Sequence, residues 1–410
     1  MVWFGINMKN GSKSSWIILS GAWLIIFSLY ILLQTIPPLL PLLDKSLNIS
    51  HFQGGLLYAA PLAMIVIFSY PLGYLSDRIG VFRAVKFGVT IAVVAAIFRA
   101  VSRVYYQLLF FNLIFGVGFA WCYPNLPKIV KNYFPPRLTG TATGIYTVAI
   151  PLGSAVGIGF SKLVCEYVGS WQNLFLFWGI FSLLSVVFWW FLTEKLFNES
   201  EKSSKFKRQE KKDIFSIDIS SWISKTLEVF TSIKILVPAI LLSLLNLVFY
   251  STLGWMPTYL IDQGWQPAVS DAATSFITFV EIPAVIIIPF LSDKLQKRRI
   301  FVYSFFFLIS LTLFSLLYHS GLFVWVFSAT LGISFGGVFV TLLTISAEVG
   351  EKTEVGRSAG LILSMGYLGA LMGPPVIGYM RDFSGMFAGG IMLLGFLSIL
   401  AAIIGYLFKY

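Results

Sequence analysis

Charge is what this sequence has least of. Of its 410 residues only 11 % are Asp, Glu, Lys or Arg, against roughly 25 % in a soluble domain. A soluble surface cannot be built from so little charge. Cysteine and histidine are scarcer still, with Cys122, Cys165, His51 and His319 the only ones. Two cysteines inside apolar stretches give neither a disulfide framework nor metal-ligand spacing. The histidines fall in joints between apolar blocks, which excludes a histidine relay through the middle of those blocks. No Gly-x-x-x-x-Gly-Lys-Ser/Thr stretch is present, so nothing resembles a phosphate loop. There is also no nucleophile arrangement and no carboxylate–histidine cluster. An enzyme, a resident metal and a cofactor are therefore not expected.

Apolar residues make up 57 % of the chain, and phenylalanine alone occurs 39 times. They come in blocks near 16–40, 53–75, 84–101, 106–127, 139–162, 172–193, 235–260, 272–291, 300–318, 322–346, 356–379 and 386–408. About 20 apolar residues cross about 30 Å of hydrocarbon as a helix. A membrane barrel would instead alternate apolar and polar residues over about ten. The expected fold is an all-α polytopic membrane protein of twelve transmembrane helices. The first block lacks a small-residue cleavage signature and reads as a retained helix.

The net charge of +11 follows from topology and does not call for nucleic acid. With the N-terminus inside, 24 of the 29 basic residues fall on the inner side, as the positive-inside rule requires. Both termini are thus expected in the cytoplasm, and the plasma membrane is the default location. Residues 194–234 form the one long joint. Glu199 to Lys212 is polar enough to be flexible. Ile214 to Lys234 spaces Ile217, Trp222, Leu227 and Phe230 among polar residues, which suits either an interfacial amphipathic helix or an irregular linker. The domains expected are 1–193, the linker 194–234, and 235–410.

The two halves repeat. Gly73-Tyr74-Leu75-Ser76-Asp77-Arg78 and Pro289-Phe290-Leu291-Ser292-Asp293-Lys294 lie 216 residues apart. The same offset relates Gly140 to Gly356, Gly144 to Gly360, Gly153 to Gly369 and Gly157 to Gly373. Duplicated halves with a site between them are a recurring transporter plan. In the first copy Gly73 would let two helices approach closely. Asp77 would pair with a base or cap a neighbouring helix. Gly80 would permit a tight turn, and Arg78 and Arg83 would keep the loop inside. Such a clasp could latch helix ends in one state and release them in another.

Gly73-Tyr74-Leu75-Ser76-Asp77-Arg78-Ile79-Gly80 resembles the signature loop of the major facilitator superfamily. Val81-Phe82 stands where a basic pair usually follows, and Arg83 comes later. The second copy keeps Asp293 and Lys294 but has Pro289 and Gln296 in place of the glycines. Tyr133-Phe134-Pro135-Pro136-Arg137-Leu138-Thr139-Gly140 extends the resemblance, and Asn112 to Tyr146 is similar to nitrate, nitrite and cyanate-type porters. No basic residue occupies Ser69 or Tyr70, where the nitrate and nitrite porters often carry an anion-binding arginine, so nitrate is not carried over. The resemblance implies two six-helix bundles around a central cavity, alternating access, and often coupling to protons. It places the first, fourth, seventh and tenth helices around the cavity. The expected partners are a small polar organic solute or anion, membrane lipids and, if transport is coupled, protons. The chain is expected to act as a monomer and to bind no nucleic acid.

Glu281 is the sharpest single candidate. It is an ionisable residue near the centre of the eighth block, costly in hydrocarbon and functional by default. It would carry a coupling proton, bind a cationic group, or sit protonated in a helix contact. On the cavity helices the candidates are Tyr30, Gln34, Asn112, Tyr123, Asn246, Tyr250 and Thr341, which bind a solute with no fixed charge. Each could equally serve helix–helix bonding. Arg99 and Arg103, four apart at the outer end of the third helix, would attract an anion on one shared face or snorkel to the interface.

Overall fold

The computed structural model describes residues 13–203, 233–295, 297–318, 321–349 and 355–408. Its first half comprises α1 (Lys13–Gln34), α2 (Ile36–Leu47), α3 (His51–Ile79), α4 (Val81–Phe98), α5 (Tyr105–Cys122), α6 (Leu126–Tyr133), α7 (Pro136–Val168) and α8 (Trp171–Ser203). The second half comprises α9 (Ile233–Asp262), α10 (Pro267–Leu295), α11 (Arg298–Leu316), α12 (Phe323–Val349), α13 (Val355–Ser384) and α14 (Ala388–Leu407). Short 3₁₀ turns lie at Arg99–Val101 and Tyr123–Asn125. Together these make about a dozen apolar membrane-spanning helices.

Local sequence explains the breaks. The first crossing runs on to Leu47 and does not stop at the expected residue 40. Pro37 lies in the first turn of α2, where its missing N–H costs nothing, so the chain restarts a helix there. Asn48, left-handed at φ 51°, ends α2. Ser50 then starts α3 with a capping box. Its Oγ accepts from the Gln53 N–H at 3.3 Å, and Gln53 Oε1 accepts from the Ser50 N–H at 3.0 Å. Gly80, at φ 94°, makes the turn into α4. α8 continues to Ser203, past the expected boundary at 193. The interfacial helix expected in 214–234 lies almost wholly outside the described residues.

The repeat read from the sequence recurs in the packing. A Cβ on Gly153 would lie 2.6 Å from the Phe27 carbonyl oxygen, and one on Gly369 would lie 1.8 Å from that of Ser243. A Cβ on Gly157 would meet the Ile31 carbonyl oxygen at 2.8 Å, and one on Gly373 that of Leu247 at 2.6 Å. Phe27 and Ser243, like Ile31 and Leu247, are themselves 216 residues apart. α7 therefore lies on α1 as α13 lies on α9, backbone against backbone, in one register.

The halves meet through α3 against α13 and α7 against α10, and they meet at one end. A Cβ on Gly55 would lie 2.4 Å from the Pro374 carbonyl oxygen, and one on Gly378 would lie 2.3 Å from that of His51. Gly159 faces Ser275 in the same way at 2.8 Å, and Ser275 Oγ donates to the Ala155 carbonyl at 2.8 Å. Toward the other end of α3 and α7, Gly140 and Gly144 are exposed and a Cβ on either would meet nothing within 4 Å among the described residues. Among the described residues the helices diverge along their length, and Gly140 and Gly144 stand at the spread end.

The glycine contacts make a direct stability test. A Cβ on Gly118 would press the backbone of Gly88 and Ala92 at 2.5–2.6 Å. Gly118→Ala should cost about 1–3 kcal/mol of thermal stability in detergent, as overpacking does. Gly144→Ala should be neutral or stabilising, by up to about 1 kcal/mol of helix propensity. Equal effects at the two sites would contradict this packing.

Candidate functional site

Tyrosines from both halves converge between the two ends. Tyr30 comes from α1 and Tyr123 from the 3₁₀ turn after α5. Tyr250 comes from α9 and Tyr367 from α13. Their hydroxyls are close enough to act on one another. Tyr123 and Tyr367 have ring centroids 6.0 Å apart, and Tyr250 and Tyr367 6.4 Å. Tyr58 of α3 closes the group, 6.1 Å from Tyr250, with its hydroxyl donating to Gln34 Oε1 at 2.7 Å. Pro124 and Pro127 interrupt the fourth crossing and tighten its backbone into the turn that carries Tyr123. Asn125 anchors that turn, its Nδ2 donating to Ser76 Oγ at 2.8 Å and to the Trp121 carbonyl at 2.7 Å.

The repeat offset reveals a swap within this cluster. Residue 30 corresponds to 246 and residue 34 to 250. α1 therefore carries Tyr30 then Gln34, whereas α9 carries Asn246 then Tyr250. Each half presents one phenol and one carboxamide a single turn apart, in opposite order. Gln34 Nε2 and Asn246 Nδ2 are buried without a hydrogen-bond partner. Glu281 of α10 acts electrostatically on Tyr250 and is only 6 % exposed. Gly336 of α12 leaves room for it, since a Cβ there would lie 3.0 Å from Glu281 Cγ. Glu281 Oε2 has no partner.

Other candidates fall elsewhere. Asn112 is fully buried in the α3–α5 contact, with Nδ2 donating to the Leu57 carbonyl at 2.8 Å. Thr341 Oγ1 donates to the Gly337 carbonyl of its own helix at 2.7 Å. Neither joins the tyrosines. Arg99 and Arg103 do not share a face, because the 3₁₀ turn at Arg99–Val101 breaks the helical register between them. Arg103 is exposed. Arg99 is fully buried, with Nη1 donating to the Leu32 carbonyl at 2.9 Å and the guanidinium 4.3 Å from the Phe115 ring centroid. It therefore neither attracts an anion at the mouth nor snorkels.

At the spread end, Lys128 Nζ donates to Asp77 and, at 3.1 Å, to the Gly73 carbonyl. This ties α3 to α6 within the first half. Arg78 stacks on Tyr74, 4.7 Å from the ring centroid. Arg83 and Lys294 are exposed. The Asp293 side chain lies outside the described residues.

At the closed end is a cluster with no counterpart among the sequence-based candidates. Asp382 of α13 caps the first turn of α3. One oxygen accepts from the His51 N–H at 3.0 Å and faces His51 Nδ1 at 2.7 Å, and the other accepts from the Phe52 N–H at 2.8 Å. Burial raises the Asp382 carboxyl, but these donors outweigh it and hold the group below its ordinary range. His51 Nε2 also lies 3.9 Å from Asp44. Within the second half, Arg381 pairs with Asp262 at 3.0 Å. Asp271 of α10 is buried with neither carboxylate oxygen bonded, and it is acted on by Lys162 and Glu166 of α7. Asp271 begins the eighth apolar block and Asp382 follows the eleventh, where a charge looks like an ordinary loop residue. Tyr58 and Tyr367 escape a reading by helix number because their helices are not among those expected to line the cavity.

Comparison with known proteins agrees with this architecture. The Major Facilitator Superfamily model matches residues 22–374. The chain is 27 % identical over 379 residues to an uncharacterised transporter of Bacillus subtilis (strain 168), covering 90 % of this chain and 87 % of that protein. It is 23 % identical to the 2-nitroimidazole transporter of Escherichia coli (strain K12), covering 96 % and 95 %. To the cyanate transport protein of the same strain it is 20 % identical, covering 86 % and 87 %. A solved bacterial homologue of the human lysosomal transporter Spinster, in an inward-facing and occupied conformation, superposes with a TM-score of 0.75 at 15 % identity. That match covers 95 % of this chain and 96 % of the other.

The Asp382 cap tests the closed end. Hydrogen bonds to a charged group contribute about 1.5–3 kcal/mol, and 1.4 kcal/mol is about tenfold in an equilibrium. Asp382→Ala should speed thiol labelling of a cysteine placed by Ser275→Cys about tenfold. Arg103→Ala should leave the rate unchanged. No change in Asp382→Ala would mean that the cap does not hold this end shut.

Proposed function

The chain belongs to the Major Facilitator Superfamily and is a secondary transporter of a small solute, and on that premise we propose how it works. Two six-helix bundles, 1–193 and 235–410, rock about the tyrosine cluster, joined by 194–234. The observation that carries this reading is the divergence of α3 and α7 from α13 and α10. Close contacts at Gly55, Gly159 and Gly378 give way, among the described residues, to open space at Gly140 and Gly144. The excess of Lys and Arg puts the spread end in the cytoplasm, with both termini on that side of a plasma membrane. This conformation is then inward-facing, like that of the Spinster homologue.

The latch works by exchange of partners. Gly73, Asp77, Arg78, Gly80 and Arg83, with Asp293 and Lys294 of the second copy, belong to the cytoplasmic clasp. Asp77 is held by Lys128 while the clasp is open. When the bundles rock outward, Asp77 moves toward the second bundle while the Asp382 cap on α3 is released. Glu281 supplies proton coupling. It is a buried carboxylate with an unbonded oxygen, on the helix that meets α7 across the bundles. One monomer contains every part that this cycle uses.

Counterflow in proteoliposomes with an imposed pH gradient tests the scheme. Asp77→Asn should slow turnover at least tenfold while leaving the solute's Kd within about twofold. Unchanged turnover would sink the latch. Glu281→Gln should abolish the response to the pH gradient and keep solute exchange. An undiminished response would leave an uncoupled exchanger, with Glu281 serving the solute or the fold.

A further inference from the structure

The chemical class of the solute can be read from what the cluster leaves unbonded. Three polar atoms at its centre have no partner: Gln34 Nε2, Asn246 Nδ2 and Glu281 Oε2. The three residues are 0 %, 5 % and 6 % exposed. Inside a membrane an unmet donor or acceptor cannot turn to water. The two amides come from opposite halves at positions related by the repeat, and the phenols of Tyr30 and Tyr250 stand one turn from them. Glu281 acts on Tyr250. The orphaned set is thus two N–H donors and one carboxyl acceptor around aromatic rings.

Each charge class meets an obstacle. Among the described residues no basic side chain acts on these phenols or on Glu281. The buried Arg99 faces Leu32, Phe115 and Phe175 instead. An anion would be buried beside a carboxyl group with no counter-cation. A quaternary ammonium or alkylpyridinium group could face Glu281, but the cationic group itself offers no acceptor to the two amides. A solute that satisfies all three atoms has acceptors for Gln34 and Asn246 and an N–H for Glu281. It also has a flat face for the tyrosine rings.

We propose that the central site of this transporter takes an uncharged, planar nitrogen heterocycle bearing at least one N–H donor and two acceptor atoms. The proposal rests on the transport reading for the opening of a solute-sized space among these residues, and its test separates the two. Binding to the purified full-length protein is measured by calorimetry for three neutral probes: uracil, nicotinamide and 2-nitroimidazole. Benzoate serves as the anion and N-methylpyridinium as the cation. Counterflow of any binder follows in proteoliposomes.

At least one neutral probe should bind saturably, and benzoate and N-methylpyridinium should not. Gln34→Leu and Asn246→Leu should each weaken that binding tenfold or more. Ligand-free Asn246→Leu should melt no lower than the parent, because leucine there removes an orphan at no cost in packing, whereas Gln34→Leu also takes the acceptor from the Tyr58 hydroxyl and should melt lower. Thr341→Val should change neither readout. Binding of benzoate or N-methylpyridinium in preference to the neutral probes overturns the assignment, as does failure of all three to bind. So does loss of stability without loss of affinity in both leucine variants. Binding of a neutral probe without counterflow keeps the assignment and overturns transport. Counterflow of benzoate alone does the reverse.

Discussion

The approach of backbone to backbone without side chains between is the constraint on which this structure depends. Lipid tails are as apolar as leucine, so helices in a membrane gain little from hiding apolar surface and must gain from close packing. Here carbonyl oxygens occupy the space that Cβ atoms would take at Gly153, Gly157, Gly369 and Gly373, in the same register twice. The contacts within each half are therefore rigid and shared. Those between the halves, at Gly55 and Gly378, have the same character, with Gly159 against the Ser275 side chain beside them, and among the described residues they exist at one end only. Two halves touching at one end and parted at the other have the geometry that the proposed rocking needs.

Charge is arranged around that geometry. In low dielectric an unpaired ionised group is costly, and among the described residues the structure keeps paired polar contacts near the two ends. Asp77 with Lys128 lies at one end, and Asp382 with His51 and Asp262 with Arg381 lie at the other. The Asp382 contact crosses between halves, whereas the Asp77 contact stays within one. The electrostatic ties thus follow the same asymmetry as the glycines. Between them the phenols are grouped together, and Gln34, Asn246 and Glu281 beside them each keep a polar atom short of a partner. Arg99 is the exception. It is buried off this axis, stacked on Phe115 with Nε and Nη2 unbonded, and nothing in the structure explains why that position is an arginine.

Much of this is legible in the chain. Apolar block length gives the crossings because hydrocarbon thickness dictates it, and the 216-residue offset anticipates a packing register that recurs atom for atom. Tyr30, Gln34, Tyr123, Asn246 and Tyr250 follow from helix number alone, and the structure brings them together. Side-chain direction is not legible in that way. Asn112 and Thr341 lie on helices of the same set but bond within the helix packing, because helix identity does not fix rotation about the axis. Arg99 and Arg103 look like neighbours by spacing, and a 3₁₀ turn separates them. Tyr58, Tyr367 and Asp382 come from helices that close the site without lining it in the simplest scheme. Long-range pairs such as His51 with Asp382 leave no local signature.

The most direct test of the central claim is a pair of interspin distances measured across each end of the membrane-reconstituted protein, with and without solute. One pair spans Gly140 and Lys294, and the other spans Gly54 and Phe383. Rocking about the tyrosine cluster predicts two populations that change in opposite senses. Wherever the first distance shortens the second should lengthen, and solute should shift their ratio. A single distance at each end that no solute alters, or two distances that shorten together, would contradict the account.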